Sequence, residues 1–360
     1  MFNSEIFYTA VKIAVMCIFV MGTVPLTVWF ERRGAGWIQG RPGPNRVGPF
    51  GLLQPLADII KLITKESFIP KNANKFFYLF APLIVPMFPL AAWVAIPFGS
   101  SLIIGGDEIP LKLINLSSGV LLSLAFAGLE VYPLMLGAWA ANNKYTNFGA
   151  LRGASQMVSY EIAMGLSLVS MLLIYGSFDL DQMVHFQHQR IIPGVQMMGA
   201  LMNPVAFIIF LISIFAETNR LPFDLPEGEN EIVGYHAEYG SSRFALFFFA
   251  EYMAMTMGAG LLVTIFLGGY NAFSFLEYLV PTITNWFSGG EIFSHNLLAS
   301  MQMLSFFIKV SSIMFLFVWV RWSLPRFRYD QLMHLGWRIL FPISLINLMV
   351  VAIVLYFKGA

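Results

Sequence analysis

Four carboxylates stand inside long apolar runs or at their edges: Glu130 in Leu129-Glu130-Val131-Tyr132, Glu161 in Val158-Ser159-Tyr160-Glu161, Glu217 before Thr218-Asn219-Arg220, and Glu251 in Phe249-Ala250-Glu251-Tyr252. An acid at the centre of a membrane helix costs about 2.5–3.5 kcal/mol on insertion scales, roughly what six leucines in the same helix return. Such residues face a bundle interior or water, and one on each of four consecutive helices could accept and pass protons near pH 7. The competing reading neutralises them with cations, or makes Glu130 and Glu217 simple helix ends at the interface. Counting the arginines at the run ends with the loops, only Lys12 and Lys309 are basic within the apolar runs, so the pattern favours a proton path.

Two polar stretches interrupt the apolar background. After the fifth run, Asp224, Glu227, Glu229, Glu231 and Glu238 stand against only Arg220 and Arg243. On a helix Glu227 and Glu231 would repel, and Pro222 and Pro226 oppose regular helix, so an irregular acidic loop is expected. Its Leu221, Phe223, Leu225, Ile232, Val233 and Tyr235 predict burial against the bundle or a partner subunit. After the first run, Glu31-Arg32-Arg33 leads to Arg41-Pro42-Gly43-Pro44-Asn45-Arg46. Prolines and glycines there fix a stiff turn that presents Arg41, Asn45 and Arg46. Phe50 to Lys65 then reads as an amphipathic helix, with Gln54, Asp58, Lys61 and Lys65 in its polar stripe. At about 24 Å it is too short to span a hydrocarbon core of about 30 Å and is expected along the membrane surface.

The elements that must hold these groups follow from composition. The chain has 360 residues, 58% hydrophobic and 11% charged, against about 25% charged in a soluble domain. It reads as an all-α polytopic membrane protein with spans near 6–30, 76–98, 117–141, 155–176, 201–216, 243–269, 301–321 and 337–357, eight in all. Sixteen of the 21 Lys and Arg residues fall in the odd-numbered connections, and only Lys112 and Arg190 in the even ones. Odd loops therefore face the cytoplasm or matrix, both termini lie on the other side, and partners dock on the odd-loop face. A net charge of +1 gives no reason to expect nucleic acid. Trp29, Trp37, Trp319, Trp322 and Trp337 suit an interfacial belt.

No repeat or low-complexity linker divides the chain, so 1–360 reads as one membrane domain, with an interfacial loop and helix at 31–75 and the acidic loop at 217–242. The first run lacks a small-residue cleavage site and reads as a retained helix. Cys17 is the single cysteine, which leaves no disulfide and no iron–sulfur or thiolate zinc site within the chain. Gly34-Ala35-Gly36-Trp37-Ile38-Gln39 lacks the final glycine of a dinucleotide loop, and there is no Walker A sequence. His185 and His188 near Asp179 and Asp181 fit an exposed polar loop better than a metal site.

In combination, Gly43-Pro44-Asn45-Arg46-Val47-Gly48-Pro49 with Gln54-Pro55-Leu56-Ala57-Asp58, then Val158-Ser159-Tyr160-Glu161, Glu217-Thr218-Asn219-Arg220-Leu221-Pro222-Phe223-Asp224 and Pro325-Arg326-Phe327-Arg328-Tyr329-Asp330-Gln331-Leu332 closely resemble the subunit 1 (H) family of respiratory complex I, the proton-pumping NADH:quinone oxidoreductase. The resemblance covers about residues 25 to 345. It implies an eight-helix subunit at the junction of the membrane and redox arms, forming the membrane-side entrance of the quinone tunnel. FMN and iron–sulfur clusters are then expected in partner subunits, with no cofactor bound by this chain and quinone as substrate. By the same resemblance Glu161, Glu217 and Glu251 match a proton relay, with Glu130 less closely matched; Glu227, Glu229 and Glu231 match the acidic loop that links the relay to the quinone cavity. Glu31, Arg32, Arg41, Asp58, Phe223 and Asp224 match positions at or near the tunnel, Asp58 serving the coupling path as well. Expected neighbours are hydrophilic quinone-site subunits on the odd-loop face, antiporter-like subunits at the side, and lipid. The membrane is read as a bacterial cell membrane, with an organelle inner membrane as the alternative. Two other functions fit a chain of this kind: the homologous subunit of a membrane-bound hydrogenase or ferredoxin-linked complex, and a stand-alone proton or cation transporter.

Overall fold

The computed structural model describes residues 2–104, 106–192, 195–228, 231–272 and 291–358. Its first helix, α1 (Phe2–Ile38), runs well past the expected end at residue 30. Glu31, Arg32 and Arg33 are therefore helical rather than part of a loop. Nothing in that stretch breaks a helix, and the Arg33 guanidinium lies 5.5 Å from the Trp29 ring, 5.8 Å from Trp37 and 5.7 Å from Phe50, so its charge is accommodated over aromatic faces. The helix stops where Gly40 turns to φ 64 ahead of Pro42. The chain then folds back on itself so closely that a Cβ at Gly51, whose φ is 76, would sit 2.3 Å from the Pro44 carbonyl oxygen.

The amphipathic segment forms α2 (Gln54–Thr64), beginning later than Phe50 because Pro49–Gly51 makes a separate tight turn. It packs against α1 and α11 (Ser241–Phe266). The second apolar run divides into α3 (Lys75–Ile84) and α4 (Met87–Ala92), with Pro86 at the junction. The third divides into α5 (Gly119–Leu129) and α6 (Val131–Ala140). Pro133 explains this break, since it has no N–H to offer the Leu129 carbonyl one turn back. The bend falls on Glu130, whose own N–H donates to the Ala127 carbonyl at 3.0 Å.

Helix α7 (Lys144–Tyr175) starts eleven residues before the expected boundary of 155. The Asn143 side chain accepts from the Tyr145 N–H and caps it, and Gly176 at φ 68 ends it. A short helix, α8 (Leu180–Gln187), follows. The fifth apolar run is α9 (Gly199–Met202) and α10 (Pro204–Glu217), separated by Asn203, whose side chain caps α10 by accepting from the Ala206 N–H at 3.1 Å. The later runs are α11, α12 (Glu291–Ser323), and a final span made of α13 (Tyr329–His334), a wider π-type turn at Leu335–Leu340 and α14 (Phe341–Lys358).

Among the described residues seven helices are long and apolar enough to cross a membrane, and Pro204–Glu217 is a shorter apolar one. Small antiparallel pairs, β1 (Ser101–Ile104) with β2 (Asp107–Pro110) and β3 (Arg190–Ile192) with β4 (Val195–Gln196), lie in the even-numbered connections. Burial ranks the helices. The apolar window of α11 is 83% buried, against 11% for the last span, so α11 is the central post and the C-terminal helix lies at the periphery. Trp93, Tyr160, Phe210, Phe306 and Phe317, with Phe266 of α11 itself, are among the large side chains fully buried in the core.

Candidate functional site

The extension of α1 carries Glu31 into the bundle, where it is only 5% exposed. Its carboxylate takes a charge-assisted bond from the Arg321 guanidinium at the end of α12 and accepts from the Tyr252 hydroxyl of α11 at 2.7 Å. Arg32, one residue on, pairs with Asp58 of α2 at 2.5 Å, and Gln54 donates to the same carboxylate at 3.3 Å. Arg41 donates to Gln39 at 2.6 Å. Between these groups lies a cavity of about 560 Å³ walled by Glu31, Arg32, Arg41, Phe248, Tyr252 and Arg321. Asp58 stands one ion pair behind that wall. The cavity thus combines aromatic and aliphatic faces with convergent charges, the usual make-up of a site for a mostly apolar molecule with a polar head.

A second cavity, of about 910 Å³, lies under the acidic loop and is lined by Asp224, Glu227, Glu231, His236, Arg321 and Arg326. Arg321 therefore belongs to both walls. Asp224 pairs with Arg326 at 2.6 Å and Glu231 with Arg152 at 2.6 Å. Burial, reinforced by the nearby charge of Glu227 and opposed by Arg326, pushes the Asp224 carboxyl up to about 7. Glu229 lies outside the described residues. Glu238 sits apart from this group, accepting from the Asn143 side chain at 2.6 Å.

Of the four span carboxylates, Glu251 is 7% exposed and accepts from the Tyr235 hydroxyl at 3.2 Å. Arg220 stands between it and Glu31, with 3.9 Å to each carboxylate and its guanidinium 4.1 Å from the Tyr252 ring centroid. The sequence places Arg220 in a loop, yet it is buried at 4% exposure, so a tally of cations within the runs misses the one that matters for Glu251. Among the described residues Lys12 donates to the carbonyls of Pro110 and Lys112, and Lys309 to those of Gly269 and Asn271.

Glu130, Glu217 and Glu161 form a second group. Glu161 lies against Gly128, where a Cβ would stand 2.6 Å from its Oε1, two residues before Glu130. Glu217 is buried with no hydrogen bond to either carboxylate oxygen among the described residues, on α10, which packs against the α7 helix that carries Glu161.

Phe223 and Asp224 do not wall the smaller cavity. Phe223 is packed between the rings of Tyr160 and Phe327, each 5.5 Å away, and its carbonyl accepts from Gln156 at 2.7 Å. Tyr235, Tyr252, His236, Arg321 and Arg326 belong to the site although nothing in the sequence singles them out for it. Arg321 is visible there only as a member of a basic loop face and Arg326 only within a family motif, while Tyr252 is hidden in an aromatic-rich run and Tyr235 reads only as a residue of the acidic loop expected to be buried. His185 is 3.8 Å from Asp181, but that carboxylate already accepts from Lys112 and Tyr270, both at 2.8 Å.

The sequence profile of the NADH dehydrogenase family matches residues 11–352. The chain belongs to that family. Similar members of the NADH dehydrogenase family include the H polypeptide, form 2, of the NADH-quinone oxidoreductase of Geobacter sulfurreducens, 44% identical over 347 residues, covering 96% of each chain. The H polypeptide of the Salinibacter ruber NADH-quinone oxidoreductase is 42% identical over 93% of this chain and 92% of its own, and that of Leptospira biflexa 44% identical over 95% and 93%. The family match therefore runs from the first membrane helix to the last and includes both cavities.

Proposed function

We propose that this chain is the membrane subunit of a proton-pumping NADH:quinone oxidoreductase, at the junction of its redox and membrane arms. The cavity walled by Glu31, Arg32 and Arg41 is then part of the quinone tunnel. The carboxylates Glu227, Glu251, Glu130, Glu217 and Glu161, with Asp58 on the tunnel side, couple quinone reduction to proton movement. Electrons reach the quinone from FMN and iron–sulfur clusters held by hydrophilic subunits on the odd-loop face. Antiporter-like subunits lie at the side, in a bacterial cell membrane with both termini on the periplasmic face.

The observation that carries this reading is the shared wall: Arg321 faces both cavities, and Arg220 stands between Glu31 and Glu251. Reduction of quinone to quinol takes up two electrons and two protons, so it changes charge and hydrogen bonding next to Glu31. Any resulting shift of Arg321 or Arg220 alters the field at Glu251 and Asp224, because these groups sit where water screens little. A local charge change thereby becomes a signal along the carboxylates.

The test is Glu161→Gln and Glu217→Gln in native membranes. NADH-driven quinone reduction and proton pumping should both fall steeply at normal levels of the assembled complex. Intact activity of both kinds in either variant would remove that carboxylate from the path.

A further inference from the structure

We propose that His236 is the residue through which the acidic loop takes up its protons from water. The inference rests on the carboxylate path proposed above and adds an entrance to it. His236 lines the 910 Å³ cavity and keeps 18% of its side chain exposed. Its Nδ1, by contrast, is closed off from solvent and stands 3.3 Å from Glu227 Oε1, an ion-pair contact that a small turn of either side chain would align as a hydrogen bond. Glu227 lies close enough to Glu251 for the two carboxylates to act on each other electrostatically, and Glu251 also accepts from the Tyr235 hydroxyl. One ring thus has a wet edge on the cavity and a dry nitrogen against the first carboxylate of a buried series.

The rings around it set this resting orientation. Tyr235 stands 4.9 Å away and edge-on, and Phe244 of α11 lies at 5.0 Å. The charged and titratable groups that share its cavity are Glu227, Asp224 and Glu231 of the loop, Arg321 and Arg326 at and beyond the end of α12, and Tyr145 and Tyr239. Asp224 is paired with Arg326 and Glu231 with Arg152, so Glu227 is the acid poised opposite the imidazole. An imidazole is the one side chain whose ordinary titration lies at physiological pH, and with two ring nitrogens it accepts on one side while donating on the other.

The transfer balances as follows. Cavity water gives a proton to Nε2, the Nδ1 proton passes to Glu227 Oε1, and hydroxide is left to the bulk. Glu227 passes its proton to Glu251. The ring is left with hydrogen on Nε2, and a swing of the side chain that exposes Nδ1 to the cavity lets water remove the Nε2 proton and supply one to Nδ1, which restores the starting tautomer.

The experiment uses the assembled complex in membrane vesicles with His236→Ala, His236→Gln and Glu251→Gln, following NADH-driven proton pumping and quinone reduction together. A positioned proton-transfer side chain supports roughly 100-fold or more in rate, so His236→Ala should slow pumping by at least about tenfold. Added imidazole should restore it, whereas pyrazole, of the same shape but not basic near neutral pH, should not. If the alanine variant fails to assemble, the glutamine variant, which fills the space but cannot be protonated, should show the same loss. Wild-type pumping in either variant, or equal effects of imidazole and pyrazole, overturns the role of His236. Wild-type pumping in Glu251→Gln overturns the carboxylate path itself, so the two failures are told apart.

Discussion

At the residue scale the decisive group is Arg220, a buried cation shared between two buried acids. Removing one member of a buried charged pair costs about 3–5 kcal/mol, because the remaining charge is left in a medium that solvates it poorly. Glu31 would keep Arg321 and the Tyr252 hydroxyl, so the cost of Arg220→Met falls mainly on Glu251 and should lie near the lower end, about 3 kcal/mol. The expected outcome is a lower melting temperature of the purified complex and less assembled complex in membranes. Arg220→Lys, which keeps the charge with a shorter reach, should recover part of both. Asp224 gives a pH prediction. Its carboxyl is pushed up to about 7 from an ordinary value of 3.8, so between those values the folded state holds a proton that the unfolded chain has released. Stability from this group is therefore present at low pH and lost as pH rises from about 4 toward 7. Asp224→Asn, which cannot ionise, should flatten that part of the profile of melting temperature against pH; an unchanged profile would remove Asp224 as its source.

At the element scale the turn after α1 is the most demanding piece of backbone. Gly51→Ala must adopt a positive φ, worth about 1–2 kcal/mol for an L-residue, and must also displace the Pro44 carbonyl 2.3 Å from the new Cβ. The turn holds Arg41 and Pro44 on the wall of the smaller cavity. The variant should therefore lose quinone reductase activity with a rise in the quinone KM, measurable in membranes across a quinone series. This turn is legible in the sequence, since prolines and glycines at such density leave few other conformations. The eight apolar runs are legible for a similar reason, as is α2 from its polar stripe. The end of α1 is not: charge at Glu31-Arg32-Arg33 suggests a loop, and only the ring of aromatic faces around Arg33 shows why the helix continues. Nor can pattern show that Arg220 turns inward, because the groups that offset its burial come from α1 and α11, distant in sequence. The cavity walls at Glu31, Arg32 and Arg41 are anticipated through family resemblance, whereas Phe223 and Asp224 fall on the loop side because Gln156 and Arg326 hold them there.

At the scale of the whole molecule, the pairing of span ends constrains how the chain threads the bilayer. Helix α10 has 14 residues, about 21 Å at 1.5 Å per residue and short of a core of about 30 Å. Length alone would allow it to stop partway. Yet Glu31 at the end of the first span bonds Arg321 at the end of the seventh, so both ends lie on one face. An even number of crossings must separate them, and spans two to seven number six only if the fifth run crosses. The unit α9–α10, Gly199 to Glu217, is 19 residues long, about 28 Å, enough to do so. Eight crossings would place both termini together, opposite the basic odd loops. In a Cys17→Ser background carrying single cysteines, Lys71→Cys should react with an impermeant maleimide only from the cytoplasmic or matrix side. Asp107→Cys and Lys358→Cys should react only from the other. Labelling of Lys358→Cys on the same side as Lys71→Cys would mean an odd number of crossings, and if the fifth run is the one that fails to cross, Arg326, Arg328 and Arg338 would be left on the face that the charge asymmetry assigns to few cations.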